Sequence, residues 1–441
     1  MEKYDVIVIG NGAAGDAVAR GLARSHRVAV VERAALGGEC LNDGCIPSKA
    51  LIDIAHSSPG TPWDEVIARV RAVQASIRGT TPDGGMREDG IMLVRGDACF
   101  LEPGRIRVGD RLLHGREVVV ATGTDPGLPP IPGLDGARPQ TNQTVFSMAR
   151  LPQRLAVIGA GPIGLELGQA LHRLGSAVTV FEVADRIAPT EDAEVSLELA
   201  RALAEEGIRL ETGASVERVD RLESGAVRIV AANGETTFDE VLVAAGRKPR
   251  IPEGLTELGL ATTRAGFIQI DDCGRTSLPG VWAAGYITGK FQFTHYASYQ
   301  ASHIRGHLAA NECRPIPDAV VPWAIFTEPE VGHVGPTEEQ AREQYGRVEV
   351  ARLDAAHIDW FRTRRRPAGF AKVIADADSG RLIAAHIVSD RASSIIGEAA
   401  LAVAHGLSAR EVGDVIHPYP GANDLLRWAC SQLADRLKRS S

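Results

Sequence analysis

The sequence lacks an excess of positive charge, since its 441 residues carry 48 Lys and Arg against 56 Asp and Glu, a formal net charge of −8. Acidic and basic residues are interspersed, which argues against nucleic acid or an anionic membrane as a partner. The first apolar run, at positions 6–9, is too short for a signal or membrane-spanning segment. We therefore expect a cytoplasmic globular protein, long enough for about three domains.

Cysteine is also scarce, with six residues in the chain. Four of them are isolated in sequence, which favours buried single thiols in a reducing compartment. These four are Cys99, Cys273, Cys313 and Cys430. The other two, Cys40 and Cys45, immediately precede a predicted helix that has Pro47 in its first turn.

A helix N-terminus stabilises a thiolate, the form of cysteine that attacks disulfides, binds metals and donates electrons. We therefore interpret Cys40 and Cys45 as a redox centre. Two alternatives remain. A structural disulfide does not suit a chain with cytosolic features, and a zinc site would need further paired ligands that the sequence does not provide.

The predicted strand at positions 6–9 is followed by a glycine-rich turn and a predicted helix, as in dinucleotide-binding sites. The first glycine permits the tight turn, the second lets the backbone approach a pyrophosphate, and the third lets helix and strand pack closely. Glu32 ends the next predicted strand, where a carboxylate can accept hydrogen bonds from ribose hydroxyls. The candidate contacts are Gly10, Gly12, Ala13, Ala14, Gly15, Glu32 and Arg33.

The same pattern recurs after a predicted strand at positions 155–158. Its candidate contacts are Gly159, Gly161, Pro162, Ile163, Gly164 and Glu182. Two dinucleotide sites indicate electron transfer between a flavin and a nicotinamide, because a dehydrogenase with one cofactor needs only one site. Glu182 should bind a 2′-hydroxyl and repel a 2′-phosphate, so we expect NAD(H) in preference to NADP(H), although Arg186 lies nearby in sequence.

Residues 37–49, which read GGECLNDGCIPSK, closely resemble the active-site signature of the flavin-dependent pyridine nucleotide-disulfide oxidoreductases. This is the family of dihydrolipoamide dehydrogenase, glutathione reductase and mercuric reductase. The resemblance extends over nearly all of the chain and implies an α/β fold with two Rossmann-type domains and an α+β dimerisation domain. It places the FAD domain at 1–148 and 265–320, the NAD(P) domain at 149–264 and the dimerisation domain at 321–441, so a homodimer is expected.

The resemblance also implies roles for single residues. Cys40 becomes the exposed interchange thiol and Cys45 the charge-transfer thiolate beside the flavin, with Lys49 paired to Glu166. Electrons would pass from NADH through FAD to this pair and then to a small-molecule acceptor. The further FAD contacts would be Gly38, Glu39, Ala98, Ala121, Thr122, Gly123, Tyr286, Phe293 and Thr294. The further NAD(H) contacts would be Val216, Ala245 and Gly246.

Three positions depart from the family pattern. Tyr286 stands where the family has an aspartate that binds the ribityl chain. Tyr419 stands where the family has a histidine that shuttles a proton to and from the interchange thiol of the partner subunit. Asp424 replaces the glutamate that orients this histidine. A tyrosine donates hydrogen bonds near neutral pH but is a poor base. His417, two residues before Tyr419, is the candidate substitute.

Three functions are consistent with these residues. The first is an NADH-dependent flavoenzyme whose cysteine pair reduces a small disulfide, a metal ion or another oxidant. The second is a diaphorase-like reductase that passes electrons from flavin directly to a quinone or dye. The third is a catalytically weak relative with a binding or regulatory role. The segment 59–88, with helical periodicity only around 66–77, predicts no function.

Overall fold

The chain begins with a sheet whose central strands are continuous apolar runs, as expected for parallel strands buried on both faces. The computed structural model describes residues 1–79, 83–310, 312–313, 315–365 and 368–440. The first strands are β1 (Glu2–Ile9), β2 (Val28–Glu32), β3 (Met92–Arg95), β4 (Cys99–Glu102), β5 (Arg105–Val108) and β6 (Arg111–Val120). They lie in the order β3-β2-β1-β6-β5-β4, and β1 pairs in parallel with both β2 and β6.

Four helices lie between the first three of these strands in sequence. They are α1 (Ala13–Leu22), α2 (Gly38–Asn42), α3 (Cys45–Ser57) and α4 (Trp63–Arg78). Helix α1 begins at Ala13, directly after Gly12, so its first turn includes the last glycine of the predicted glycine-rich turn, Gly15. Helix α4 confirms the helical periodicity predicted within 59–88, of which positions 80–82 lie outside the described residues.

The second unit repeats the strand, turn and helix arrangement of the first. Its elements are β7 (Thr124–Pro126), β8 (Arg154–Ile158), α5 (Pro162–Arg173), β9 (Ala177–Phe181), α6 (Ala193–Glu206), β10 (Arg209–Glu211), β11 (Val216–Arg221), β12 (Val227–Ala231), β13 (Gly234–Phe238), β14 (Glu240–Val243) and β15 (Arg247–Pro249). A parallel sheet has the order β10-β9-β8-β14, and β11, β12 and β13 form a separate antiparallel sheet. Strands β7 and β15 pair where the chain enters and leaves this unit.

The chain then returns to the first sheet through β16 (Val281–Ala283), which pairs in parallel with β6, and continues into α7 (Thr294–Ala310). The last part holds β17 (Trp323–Ile325), β18 (Glu330–Val334), α8 (Glu338–Tyr345), β19 (Val348–Asp354), α9 (Asp359–Thr363), β20 (Phe370–Asp376), β21 (Leu382–Ser389), α10 (Ala392–Ala404), α11 (Ala409–Gly413) and α12 (Asp424–Ser440). Its antiparallel sheet has the order β17-β18-β21-β20-β19. Two parallel nucleotide-type sheets and a C-terminal α+β unit confirm the predicted fold class.

The expectation of four single cysteines is wrong for two of them. Cys273 and Cys313 form a disulfide with their Cα atoms 5.8 Å apart, although 40 residues separate them in sequence. The fold brings the loop before β16 beside the segment that follows α7, and sequence spacing carries no sign of this approach. Cys40, Cys45, Cys99 and Cys430 are free thiols.

Over the described residues, helices of the length and apolarity required to span a bilayer are absent.

The glycines of the first turn give a test of the fold that is independent of activity. A Cβ at Gly15 would overlap the Gly10 carbonyl oxygen, whereas a Cβ at Gly12 would meet no atom within 4 Å. We expect Gly15→Ala to lower the free energy of unfolding by about 1–3 kcal/mol, the usual cost of overpacking. Gly12→Ala is the matched control and should leave thermal unfolding of the cofactor-free protein unchanged. Equal effects of the two variants would contradict this account of the turn.

Candidate active site

A cavity of about 1670 Å³ joins the first glycine-rich turn, the cysteine pair and the start of α5. Most of the predicted FAD and catalytic residues line it, together with two predicted contacts of the second nucleotide site, Pro162 and Ile163. They are Gly10, Gly12, Ala13, Ala14, Glu32, Arg33, Gly38, Glu39, Cys40, Cys45, Lys49, Ala98, Ala121, Thr122, Gly123, Pro162, Ile163, Glu166, Tyr286, Phe293 and Thr294. Gly161, Pro162, Ile163 and Gly246 also line a smaller cavity of about 90 Å³. Predicted residues that line neither cavity are Gly15, Gly159, Gly164, Glu182, Val216, Ala245, Tyr419, Asp424 and His417.

The first turn has the shape that a dinucleotide requires. A Cβ at Gly10 would lie 2.5 Å from the Ala121 carbonyl oxygen, while the space around Gly12, at the N-terminus of α1, is open. The Glu32 carboxylate is fixed at the end of β2, because it accepts hydrogen bonds from the backbone N–H groups of Asn11 (2.7 Å) and Ala34 (2.8 Å). These residues fit FAD: the helix N-terminus would hold its pyrophosphate and the carboxylate its ribose.

The second turn reproduces this arrangement atom by atom. A Cβ at Gly159 would lie 2.6 Å from the Ala244 carbonyl oxygen, and the space around Gly161 is open. Glu182 accepts hydrogen bonds from the backbone N–H groups of Ala160 (2.7 Å) and Ala184 (3.0 Å). The second site therefore fits a dinucleotide for the same physical reasons as the first.

The cysteine segment packs directly on the first turn. Gly38 has a φ of +58°, and a Cβ there would lie 2.6 Å from the Gly12 Cα. The Gly37 N–H donates to the Asn11 side-chain oxygen over 3.0 Å. This close backbone approach needs glycine at position 38, and it leads into the short helix α2, which carries Cys40. Sequence reasoning missed α2, because a pair of glycines reads as a turn.

Cys45 is the first residue of α3, and its Sγ lies 3.2 Å from the Thr294 Oγ1. The hydrogen bond from Cys40 lowers the pKa of Cys45 to about 6, with further lowering by Thr294 and by the charge of Lys49 against the effect of burial. The same bond and burial raise the pKa of Cys40. The pair therefore consists of a Cys45 thiolate and a Cys40 thiol near neutral pH.

Lys49 and Glu166 form an ion pair with a Nζ to Oε2 distance of 2.7 Å. Glu166 is buried, and its other oxygen accepts a hydrogen bond from the Phe326 N–H at 2.9 Å. The Lys49 Nζ also lies 4.4 Å from the centroid of the Phe326 ring. This group of contacts ties α3 to α5 and to the segment after β17, and it brings positive charge to the cavity wall beside Cys45.

Arg247 was not among the predicted site residues, yet it forms an ion pair with Glu39, the neighbour of Cys40. Its Nε also donates to the Thr124 Oγ1 over 2.6 Å, and Asn142 donates to Glu39 over 2.6 Å. The only signal in the sequence was an arginine directly after the small residues that end the second unit. Burial and the charge of Glu39 together raise the pKa of Asp43, which also lines the cavity.

The predicted residues near the C-terminus form a separate group. The exposed Tyr419 donates from its hydroxyl to Asp359 over 2.8 Å, and this contact raises its pKa. His417 has contacts at both ring nitrogens, with the Val415 carbonyl oxygen at 3.0 Å and with Glu398 at 2.7 Å. Asp424 is buried at the start of α12. In this arrangement neither ring nitrogen of His417 is open to an acceptor molecule.

Among the described residues, His, Cys, Asp and Glu do not form a group of three or more suited to a metal ion.

Comparison with known proteins covers almost the whole chain. Residues 4–301 match the model of the pyridine nucleotide-disulphide oxidoreductase family, and residues 321–430 match its dimerisation domain. A mercuric reductase from Lysinibacillus sphaericus is 33% identical over 440 residues, which cover 95% of this chain and 80% of the relative. Dihydrolipoyl dehydrogenase 3 from Pseudomonas aeruginosa is 34% identical over 472 residues, which cover 99% of both chains.

Solved structures agree with these relatives. The Cu(II) complex of the HOCl-induced flavoprotein disulfide reductase RclA from Escherichia coli superposes with a TM-score of 0.92 and 28% identity, covering 98% of this chain and 100% of the other. The resemblance inferred from residues 37–49 is thereby confirmed. The chain belongs to the pyridine nucleotide-disulphide oxidoreductase family, whose members are FAD-dependent enzymes that use a pyridine nucleotide and a redox-active disulfide.

Proposed function

We propose that the protein is an NADH-dependent reductase in which the Cys40 and Cys45 pair delivers electrons to a small disulfide, a metal ion or another small oxidant. The observation that carries this proposal is the continuous cavity, because it joins the first nucleotide turn, both thiols and the start of α5. When bound, FAD supplies a two-electron carrier between the nicotinamide and the thiols. The relatives named mercuric reductase and the RclA complex with Cu(II) make metal ions a class of acceptor to test.

Different residues of this chain determine the protonation of the two thiols. The Cys45 thiolate is stabilised by Cys40, Thr294 and Lys49, so it is available for electron transfer without a base. Cys40 retains its proton. Oxidation of the Cys45 thiolate and the Cys40 thiol to a disulfide releases two electrons and one proton, the proton of Cys40. The proton of Cys45 has already left before this step.

We further propose that the protein is a homodimer formed through the C-terminal domain. Apolar side chains are exposed on this domain in the single chain, and such patches mark interaction surfaces. They include Leu401, Val415, Ile416, Tyr419 and Trp428. A second copy of the chain would cover them.

The choice of nucleotide rests on Glu182. Its carboxylate is held by two backbone N–H groups, whereas Arg186 donates to the carbonyl oxygens of Pro189 and Glu191 and so is engaged away from Glu182. A 2′-phosphate would therefore meet negative charge at Glu182. We propose NAD(H) as the cofactor on this ground.

We expect Glu182→Gln to lower the preference for NADH over NADPH by roughly tenfold in kcat/KM, about 1.4 kcal/mol, because it removes the negative charge and keeps a hydrogen-bond acceptor. Glu32→Gln is the matched control, since Glu32 makes the same two backbone contacts in the first site. Stopped-flow reduction of the bound flavin by each nucleotide measures the ratio. An unchanged ratio in Glu182→Gln would exclude Glu182 as the selecting residue.

The dithiol path is tested by replacing each cysteine. Cys40→Ser should abolish turnover of an acceptor found by screening small disulfides, Hg(II), Cu(II) and quinones, yet leave reduction of the flavin by NADH intact. Cys45→Ser should also eliminate the long-wavelength absorption that a thiolate beside the flavin produces. Dye reduction should survive both changes. If Cys40→Ser turns over every acceptor at the rate of the unchanged protein, the dithiol is off the path and the diaphorase function replaces our proposal.

The absent family base is tested by restoring it. We expect Tyr419→His with Asp424→Glu to raise reduction of a simple disulfide such as lipoamide, because general acid and base catalysis is typically worth about 10²-fold to 10⁴-fold. Tyr419→Phe is the control, since it removes the hydroxyl without adding a base. Initial rates with NADH and lipoamide give the comparison. No gain in the double variant would show that the acceptor pocket, and not the missing base, limits disulfide reduction.

A further inference from the structure

Two side chains that lie eight residues apart in sequence, Tyr286 and Thr294, form a chain of hydrogen-bonding groups that ends on Cys45. Tyr286 follows β16, and its hydroxyl oxygen lies 3.3 Å from the Thr294 Oγ1 at the start of α7. The same Thr294 Oγ1 lies 3.2 Å from the Cys45 Sγ. The Arg247 guanidinium carbon lies 5.4 Å from the centroid of the Tyr286 ring, and Arg247 is itself fixed by Glu39 and Thr124.

The chemistry of these groups fixes the direction of the hydrogen bonds. A thiolate has no proton to donate, so Thr294 must donate to the Cys45 sulfur whenever Cys45 is ionised. The Thr294 hydroxyl has one proton and two lone pairs, so its contact with Tyr286 then requires Tyr286 to donate. Burial raises the pKa of Tyr286, which keeps its hydroxyl protonated near neutral pH. Both hydrogen bonds therefore point toward Cys45.

We propose that Tyr286 is a positioning residue that holds the Thr294 hydroxyl as a hydrogen-bond donor to the Cys45 sulfur. The inference rests on the proposed function, because it assigns a residue that tunes the thiolate of that site. Consecutive hydrogen bonds polarise one another, so a donor behind Thr294 strengthens the bond that Thr294 makes to sulfur. An aspartate at position 286 would have the opposite effect, since its carboxylate would accept a hydrogen bond from the Thr294 hydroxyl and turn that O–H away from Cys45.

Other charged and titratable groups also act on these side chains. Cys40, Lys49 and Glu166 act on Cys45, and Arg247 and Glu39 act on Tyr286. Thr294 also acts on Cys40, and Cys40 itself forms a direct hydrogen bond with Cys45 that does not involve Tyr286. Removing the Tyr286 hydroxyl should therefore weaken the hydrogen bond from Thr294 that stabilises the Cys45 thiolate. The hydrogen bond from Cys40 to Cys45 should remain.

The experiment measures the pH at which Cys45 is half ionised. The purified holoprotein is reduced with a phosphine, without nucleotide or acceptor, and is alkylated with iodoacetamide across a pH series. Fragment masses of the peptide that contains both cysteines report modification of Cys45. The variants are Tyr286→Phe, Tyr286→Asp, Thr294→Val, Thr294→Ser and the double variant Tyr286→Phe with Thr294→Val. Tyr296→Phe is the matched control, because Tyr296 is a buried tyrosine of α7 whose ring contacts Phe291 edge to face.

Tyr286→Phe should raise the half-ionisation pH by about 0.5 to 1 unit, which is roughly three- to tenfold less thiolate below that pH. Tyr286→Asp should raise it at least as much. Thr294→Val should give a shift at least as large as that of Tyr286→Phe. The double variant should shift the half-ionisation pH no more than Thr294→Val alone does. Thr294→Ser and Tyr296→Phe should leave the half-ionisation pH unchanged. A double-mutant cycle of this form shows that Tyr286 acts through Thr294.

Two results would overturn the inference. The first is an unchanged half-ionisation pH in Tyr286→Phe, and the second is a double variant whose shift equals the sum of the two single shifts. If Tyr286→Phe does not fold, the inference is overturned when Thr294→Val has the same half-ionisation pH as the unchanged protein. The measurement uses no nucleotide and no acceptor, so its outcome is separate from that of the turnover assays that test the proposed function.

Discussion

The close approach of two backbone turns determines where the thiols lie. Gly38 packs against Gly12 so tightly that a side chain on Gly38 would overlap the Gly12 Cα. Strand β1 and helix α1 fix the position of this first turn. The position of the cysteine segment therefore depends on the first sheet. The contact between Cys45 and Thr294 depends on this approach, since a displaced cysteine segment would separate the Cys45 sulfur from Thr294.

Ion pairs at the cavity wall connect the cysteine segment to the second nucleotide unit. Lys49 reaches Glu166 on α5, and Glu39 reaches Arg247 on β15. Glu166 is buried, and a buried charge that loses its partner typically costs about 3–5 kcal/mol. The two units are therefore held together at the point where electrons are proposed to pass, so the structure of the site and the packing of the units depend on the same residues.

The sequence was sufficient for the features that depend on local pattern. Both glycine turns, the strands before them, the acids Glu32 and Glu182 and the helix after Cys45 follow from spacing and periodicity, because each is set by neighbours within one strand and one helix. The features that sequence reasoning missed depend on contacts between distant segments. Arg247 reaches Glu39 from more than 200 positions away, and Cys273 reaches Cys313 across a strand and a helix. No local pattern marks such pairs.

The two tyrosines at departures from the family pattern share one physical property. At each position a group that accepts protons is replaced by one that donates a hydrogen bond, and in each case the environment raises the tyrosine pKa, by burial at Tyr286 and by Asp359 at Tyr419. Neither residue can act as a base near neutral pH. Under our proposals the ionisation of Cys45 therefore depends on hydrogen-bond donors and on positive charge. This chemistry suits acceptor molecules that react with the Cys45 thiolate directly and need no base to remove a proton from the thiol.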